Sequence, residues 1–515
     1  MKPLRLALLL AFLGAGASPQ EDPLPARIDA AVAGISGFRQ TPVSGRCADG
    51  EFLRRVMLDL VGYPPNAGEA RAFSADPAAE KRAAKVDQLL AGGRYADYWA
   101  RRWMGVFFGN YHELRLEPLK GLEPEEAKRI MESFRQWMER NILLDRPWTD
   151  TVRDLLSAQG KTDKTPALAY KLALHQWPRA PYFEGRAARH FLGVDLMCSG
   201  CHDHPFDRWT VEDGLAMSAF SNGRQLRLGK GGLEVMEGAE PPNRPIPGDK
   251  GFIPGWPNCK GTVVPPRFLF GGAPKDGEVL AEAFARLMVA PENLQFRKAA
   301  VNRVWSWLLG RGIVSPVDAF DQKNKPLSGP LITLLAKEFS ENGHSVKFLI
   351  RAICASETYQ RGCDGTLPLP RANFSRMLVR PLSAEQILNS IDVATLGKPG
   401  FDLEAARKLA DKMVRGDAPA CETTEEFPDA RALLWIANGE RVWRLIREGP
   451  VVKSIRTGKG DPEGMAKAMF LAALSRAPSP SELERYSDFL RGRGMEIVDE
   501  AYWTLLNSAE FLTRH

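Results

Sequence analysis

Between Gly223 and Pro274 the chain carries 11 glycines and 9 prolines in 52 residues. No long helix persists at that density, because proline removes an amide donor and glycine costs backbone entropy. The segment therefore partitions everything around it. Upstream, from Cys47, and again downstream, from about residue 275, apolar residues recur at helical intervals and strand alternation is scarce. The expectation is a mainly α protein: a helical domain over 47–222, a Gly/Pro-rich loop or small β segment over 223–274, and a second helical domain over 275–515. Within the middle piece, LEVM (233–236) and GTVV (261–264) have the composition of short strands.

Local signals place individual helices. Asp49 stands where it can cap EFLRRVMLDLVG, with Phe52, Val56 and Leu60 on one face and Gly62 ahead of Pro64-Pro65 as the stop. Asn66 with Glu69, and Ser383 with Gln386, have capping-box spacing; the first opens a short helix ending near Asp76. FRKAAVNRVWSWLLG carries Phe296, Ala300, Val304, Trp307 and Leu308 along one stripe, stopped by Gly310. Ser479-Pro480-Ser481-Glu482 adds proline at the first helical position, with Gly492 as the closing residue.

At 515 residues, with 44% hydrophobic and 26% charged, the chain has ample material for a large core and is neither disordered nor collagenous. The formal charge of +6 is spread without a long single-sign run, which gives no argument for nucleic acid. The first 18 residues read as a cleaved signal peptide. Lys2 and Arg5 precede an apolar run from Leu6 to Gly16, and Ala15-Gly16-Ala17 offers small residues for cleavage. That run is too short to span a bilayer, which needs about 20 residues, and no other is longer. The mature chain is thus expected to be exported, periplasmic or extracellular, with no integral membrane span.

Seven cysteines are too sparse for a disulfide framework, although Cys354 and Cys363 are close enough in sequence to bridge. Cys198-Ser199-Gly200-Cys201-His202 is a C-x-x-C-H sequence, the attachment motif of c-type haem. Positions i, i+3 and i+4 share a helical face, so two thiols can add to the two vinyl groups of one porphyrin while the imidazole reaches iron from the same side. Haem c held by Cys198, Cys201 and His202 is the first reading. Zinc or copper is the alternative, with His202 and His204 as metal ligands beside the thiols. A disulfide between Cys198 and Cys201 is the plain reading. For a second axial position Met217, His190, His175 and Met104 are candidates, and His204 is a hydrogen-bond partner for Asp203 or Asp207.

Other residues are read as structural. Trp99, Trp103, Trp209 and Trp305 are core aromatics, Asp318 and Asp321 cap a loop rather than form a catalytic pair, and Gly458-Lys459-Gly460 lacks the remaining residues of a phosphate cradle. No constellation nominates a catalytic nucleophile or general base.

The stretches EFLRRVMLDLVGYPP, RYADYWARRWM and MCSGCHDHPFDRWTVEDGLAMSAF resemble the planctomycete-type cytochrome-c-like domain of unknown function. FRKAAVNRVWSWLLGRGIVSPVDAFD, RPLSAEQIL, LSRAPSPSELERY and LLNSAEFL look like the C-terminal domain that accompanies it. The resemblance covers nearly everything after Cys47. It implies an exported bacterial protein whose motif falls on Cys198, Cys201 and His202, followed by Asp203 to Asp207. The functional expectation is a c-type haem protein in electron transfer or an extracytoplasmic oxidoreductase system, with an unidentified redox partner protein. The alternative is an exported scaffold or interaction protein whose cysteine and histidine cluster holds a structural metal or a disulfide.

Overall fold

The structure is a computed structural model. It describes residues 22–108, 123–175, 182–200, 202–221, 224–229, 232–236, 264–363, 373–413, 430–458, 461–491 and 496–514. The signal-peptide reading, Cys201, Cys259, Cys421, Gly492, residues 459–460, most of the Gly/Pro-rich segment and the side chain of His175 lie outside the described residues.

The chain is mainly helical: among the described residues there are 23 α-helices and five short strands. The run LEVM lies in the strand Gly232–Met236, which pairs antiparallel with Gln225–Gly229 on one side and Gly160–Lys161 on the other. Of GTVV only Val264 is described, and it is not in a strand. A second pairing joins Arg380–Pro381 to Thr513–Arg514, with Arg380 opposite Arg514.

The helix signals translate unevenly. Asn66/Glu69, Ser383/Gln386 and Ser479/Glu482 all form complete capping boxes, opening Ala67–Ala75, Ala384–Leu396 and Pro480–Leu490. Asp49 does not cap: Ala48 holds that position, and Asp49 is the first residue of Asp49–Val61. Its carboxylate is drawn instead to Lys81 at 2.6 Å and Arg82 at 2.8 Å. The helix ends at Gly62, whose φ of 80° and whose lack of a Cβ against the Tyr98 ring both require glycine. The Pro480–Leu490 helix ends on Arg491, one residue before Gly492.

Eleven of the thirteen residues of Asp49–Val61 are buried, as are twelve of the sixteen in Leu294–Leu309. Helices enclosed on all sides form the interior, not a surface layer. One continuous apolar cluster runs from Ile28 to Met377 and so draws on both sides of the Gly/Pro-rich segment. Trp103 is at its centre, stacked on Trp148 at 4.2 Å and edge-on to Trp307 at 4.9 Å, with Trp99 against Trp307 at 5.2 Å. Trp305 packs on Phe374. A second cluster takes in Leu382 to Leu512 and one residue from the first half, Leu58.

The two clusters meet at a buried ionic knot on Asp49–Val61. The Asp59 carboxylate accepts the Tyr359 hydroxyl at 2.7 Å and faces Arg514 at 2.8 Å and Arg380 at 3.5 Å. Arg380 also donates to the carbonyls of Trp307 and Ser306, and Arg514 to that of Leu308. Arg54 donates to the carbonyls of Ala473 and Phe511, and Arg55 to those of Tyr359 and Arg361. Burial lowers the Arg54 guanidinium to about 10, and burial with the neighbouring Arg380 charge lowers Arg514.

Cys354 and Cys363 do not bridge; both are thiols, as is Cys47, which accepts from Arg55 at 3.6 Å. Burial pushes Cys363 up to about 12 and Cys354 higher still, so both stay protonated and inert.

Asp59→Asn keeps the shape of the side chain but removes the carboxylate charge shared by Arg380 and Arg514. Breaking a buried pair from one side costs about 3–5 kcal/mol, whereas Tyr359→Phe forfeits one hydrogen bond to a charged group, about 1.5–3 kcal/mol. Urea unfolding of the two variants is expected to rank them in that order; equal losses would mean that charge does not hold the knot.

Candidate functional site

The C-x-x-C-H stretch follows the helix Tyr182–Leu192. The exit from that helix is pinned from the facing region, with the Leu192 carbonyl accepting from Gln295 at 2.7 Å and the Gly193 carbonyl from the Phe320 amide at 2.8 Å. Asp195 then accepts the Met197 amide at 2.9 Å, which turns the chain into a short 3-10 segment, Cys198–Gly200. The His202 amide donates to the Cys198 carbonyl at 3.2 Å. An i→i+4 bond of that kind sets Cys198 and His202 one helical turn apart on one face. Cys201 lies outside the described residues, so the structure brings together two of the three predicted ligands and leaves the third unplaced.

One carbonyl holds the loop shut. Trp209 accepts from the His204 amide at 2.8 Å and from the buried Ser199 hydroxyl at 3.4 Å. The helix Val211–Ser218 begins directly afterwards, opened by a Thr210/Asp213 capping box. Asp203 adds a further cap, accepting the Val211 amide at 2.8 Å. The helix approaches so closely that a Cβ on Gly214 would run into the Ser199 carbonyl.

The two histidines present different atoms. His202 Nδ1 lies 2.7 Å from the main-chain oxygen of Asp203. A carbonyl can only accept, so Nδ1 carries the proton and Nε2 offers its lone pair. His204 has the opposite arrangement: its Nδ1 accepts the Phe206 amide at 3.3 Å, which puts the proton of the neutral ring on Nε2. The expected bond from His204 to Asp203 or Asp207 is not made: the His204 Nδ1 takes the Phe206 amide instead, while Asp203 accepts from Val211 and Asp207 from Arg208.

Apolar side chains stand in the open around this turn. Phe206 is 60% exposed, Phe270 40% and Met197 36%. Lys323 sits over the Phe206 ring at 4.2 Å, and Phe270 meets Trp209 edge-on at 5.7 Å. Exposed apolar side chains therefore stand near an imidazole whose Nε2 is not engaged by the backbone and which lies one turn from Cys198. Among the described residues there is no group of three or more His, Cys, Asp or Glu that could hold a metal ion.

The other candidates fall elsewhere. Met217 and Met104 are buried in the first apolar cluster. His190 is buried against Tyr170. Asp318 pairs with Arg303, and Asp321 accepts the amides of Lys323 and Asn324, the loop-capping role its neighbours suggested. The buried polar group around His190 escaped sequence reasoning; its one legible trace is Arg186 and His190 at i and i+4 on a helix.

Residues 27–225 match the family model described as PSCyt2, protein of unknown function (DUF1549), and residues 281–404 match that described as PSD1, protein of unknown function (DUF1553). The pairing is typical of planctomycete proteins. No curated protein and no solved structure matches the chain.

Gly214→Ala tests whether the turn depends on its seat. Alanine would otherwise gain about 1 kcal/mol inside a helix, yet the clash with the Ser199 carbonyl is expected to reverse the sign and cost about 1–3 kcal/mol. Urea unfolding reads the net change; a stabilised variant would show that the helix does not clamp the turn.

Proposed function

We propose that this chain is an exported c-type haem protein acting in electron transfer, alone or within an extracytoplasmic oxidoreductase system. The observation that carries the reading is the pairing of C-x-x-C-H with the orientation of His202, whose Nδ1 is tied to a main-chain carbonyl so that Nε2 is the ligating atom. The exposed apolar rim of Met197, Phe206 and Phe270 supports it. For export the support is the N-terminal Lys2-to-Ala17 pattern. Among the described residues no helix is long and apolar enough to cross a membrane.

Bound haem would supply one-electron exchange at its iron. Cys198 and Cys201 would hold it as thioethers, sulfur and hydrogen of each thiol adding across one vinyl group. His202 would ligate the iron through Nε2. The Asp203 carbonyl fixes the orientation of the ring, and the Trp209 carbonyl holds the loop that follows Cys198. Met197, Phe206 and Phe270 would supply apolar surroundings for the group.

Co-expression with export and haem-attachment machinery is expected to yield a coloured protein with a Soret band and a haem stain that survives denaturing electrophoresis. Cys198→Ala/Cys201→Ala should lose both. His202→Ala should keep the stain and shift the spectrum. A colourless wild type carrying stoichiometric zinc or copper would overturn the proposal.

A further inference from the structure

Between the helices Leu294–Leu309 and Gly329–Glu341 the chain closes on itself, the Leu327 amide donating to the Ile313 carbonyl at 2.8 Å. Two buried side chains of the preceding helix shape the loop 313–327. Asn302 accepts the Val314 amide at 2.9 Å and donates to the carbonyls of Val314 and Val317 at 2.9 and 3.3 Å. Arg303 pairs with Asp318. Further on, Asp321 accepts the amides of Lys323 and Asn324 and the Asn324 side chain. A loop braced at base, flank and tip presents its side chains from a fixed frame.

That frame meets the C-x-x-C-H stretch on both sides. Ahead of the motif, the Phe320 amide donates to the Gly193 carbonyl at 2.8 Å, and a Cβ on Gly193 would stand 2.5 Å from Cδ2 of the Phe320 ring. The Gly193 φ of 64° makes the same demand for glycine. Behind the motif, Lys323 Nζ lies 4.2 Å from the centre of the Phe206 ring, and that ring meets His204 edge-on at 6.4 Å. Gln295, two turns before Asn302 on the same helix face, adds the bond to the Leu192 carbonyl. Gln295, Asn302, Arg303, Phe320 and Lys323 all fall within 281–404, the span of the second family match, whereas the motif falls within the first.

We infer that the second family region is the positioning half of the C-x-x-C-H site: the loop 313–327 clamps the turn, with Phe320 as the positioning residue at its entry and Lys323 at its exit. Both act through the residues they touch, Gly193 and Phe206, on where Cys198 and His202 stand. A ligating ring needs support outside its own few residues, and here that support comes from the other half of the chain. The clamp is a property of the polypeptide alone; only its effect on a metal-bound ring rests on the haem reading proposed above.

Amide hydrogen exchange on the full-length, haem-free protein, read by mass spectrometry, tests the clamp. The reporter is a peptide over 194–206, which contains the hydrogen-bonded amides of Met197, His202 and His204. Phe320→Ala is expected to speed its exchange at least tenfold, and Phe320→Leu to restore most of the protection. Exchange in the helix Gly93–Phe108 should change no more than in Phe339→Ala, which removes a ring of the same apolar cluster that packs on His344 instead. Lys323→Gln, an exposed change, should give a smaller gain confined to the reporter; no gain would strike Lys323 from the clamp. Unchanged protection in Phe320→Ala, or a loss shared equally by Gly93–Phe108, overturns the assignment. In haem-loaded protein Phe320→Ala should shift the midpoint potential with the covalent stain retained. A colourless wild type would sink the haem reading and leave the exchange result to decide the clamp.

Discussion

A carboxylate sealed from water must be answered by cations and donors. Asp59 is answered from three places far apart in the chain: Tyr359, Arg380 and Arg514. The cost of desolvating these charges is recovered only because each also finds a carbonyl or a hydroxyl, as Arg380 does at Trp307 and Arg514 at Leu308. The knot decides how the two apolar clusters sit. Leu58, one residue before Asp59, belongs to the second cluster, and Gln386 donates to its carbonyl at 2.9 Å. Asp49–Val61 is thereby the axle on which both helical regions turn.

The C-x-x-C-H turn rests on this frame at one remove. Its entry is held by Gln295 and Phe320, which belong to the region after the Gly/Pro-rich segment, while its exit is held by its own helix at Gly214. A rigid seat on both sides holds Cys198 and His202 one turn apart. Fixed geometry is what a ligating imidazole needs, since a ring free to rotate would present Nδ1 as readily as Nε2.

What the sequence disclosed depended on range. Capping boxes such as Asn66/Glu69 and Ser479/Glu482 act over three residues, and the structure contains each of them. Asp49 looked like a cap on the same local grounds and is not one, because Lys81 and Arg82, more than thirty positions on, compete for its carboxylate. The ionic knot left no trace in the sequence: periodicity marks Phe52, Val56 and Leu60 as one face of the helix, and only tertiary contacts reveal that Arg54, Arg55 and Asp59 are buried with them. At the candidate site the motif itself was legible, while the tautomers of His202 and His204 were not, since they follow from which backbone group each ring meets.

The separation in range carries over to the order of assembly. The bonds internal to the cysteine turn span ten residues or fewer, as between Ser199 and Trp209 or Asp203 and Val211, although its entry is tied to Gln295 and Phe320. Arg54 reaches Phe511 across 457 positions. Loop-closure entropy makes contacts of the second kind late and those of the first kind early. A nascent polypeptide emerging vectorially therefore closes the inner bonds of the turn first, and its seating against Gln295 and Phe320 comes before the axle helix meets its last counter-ion at Arg514.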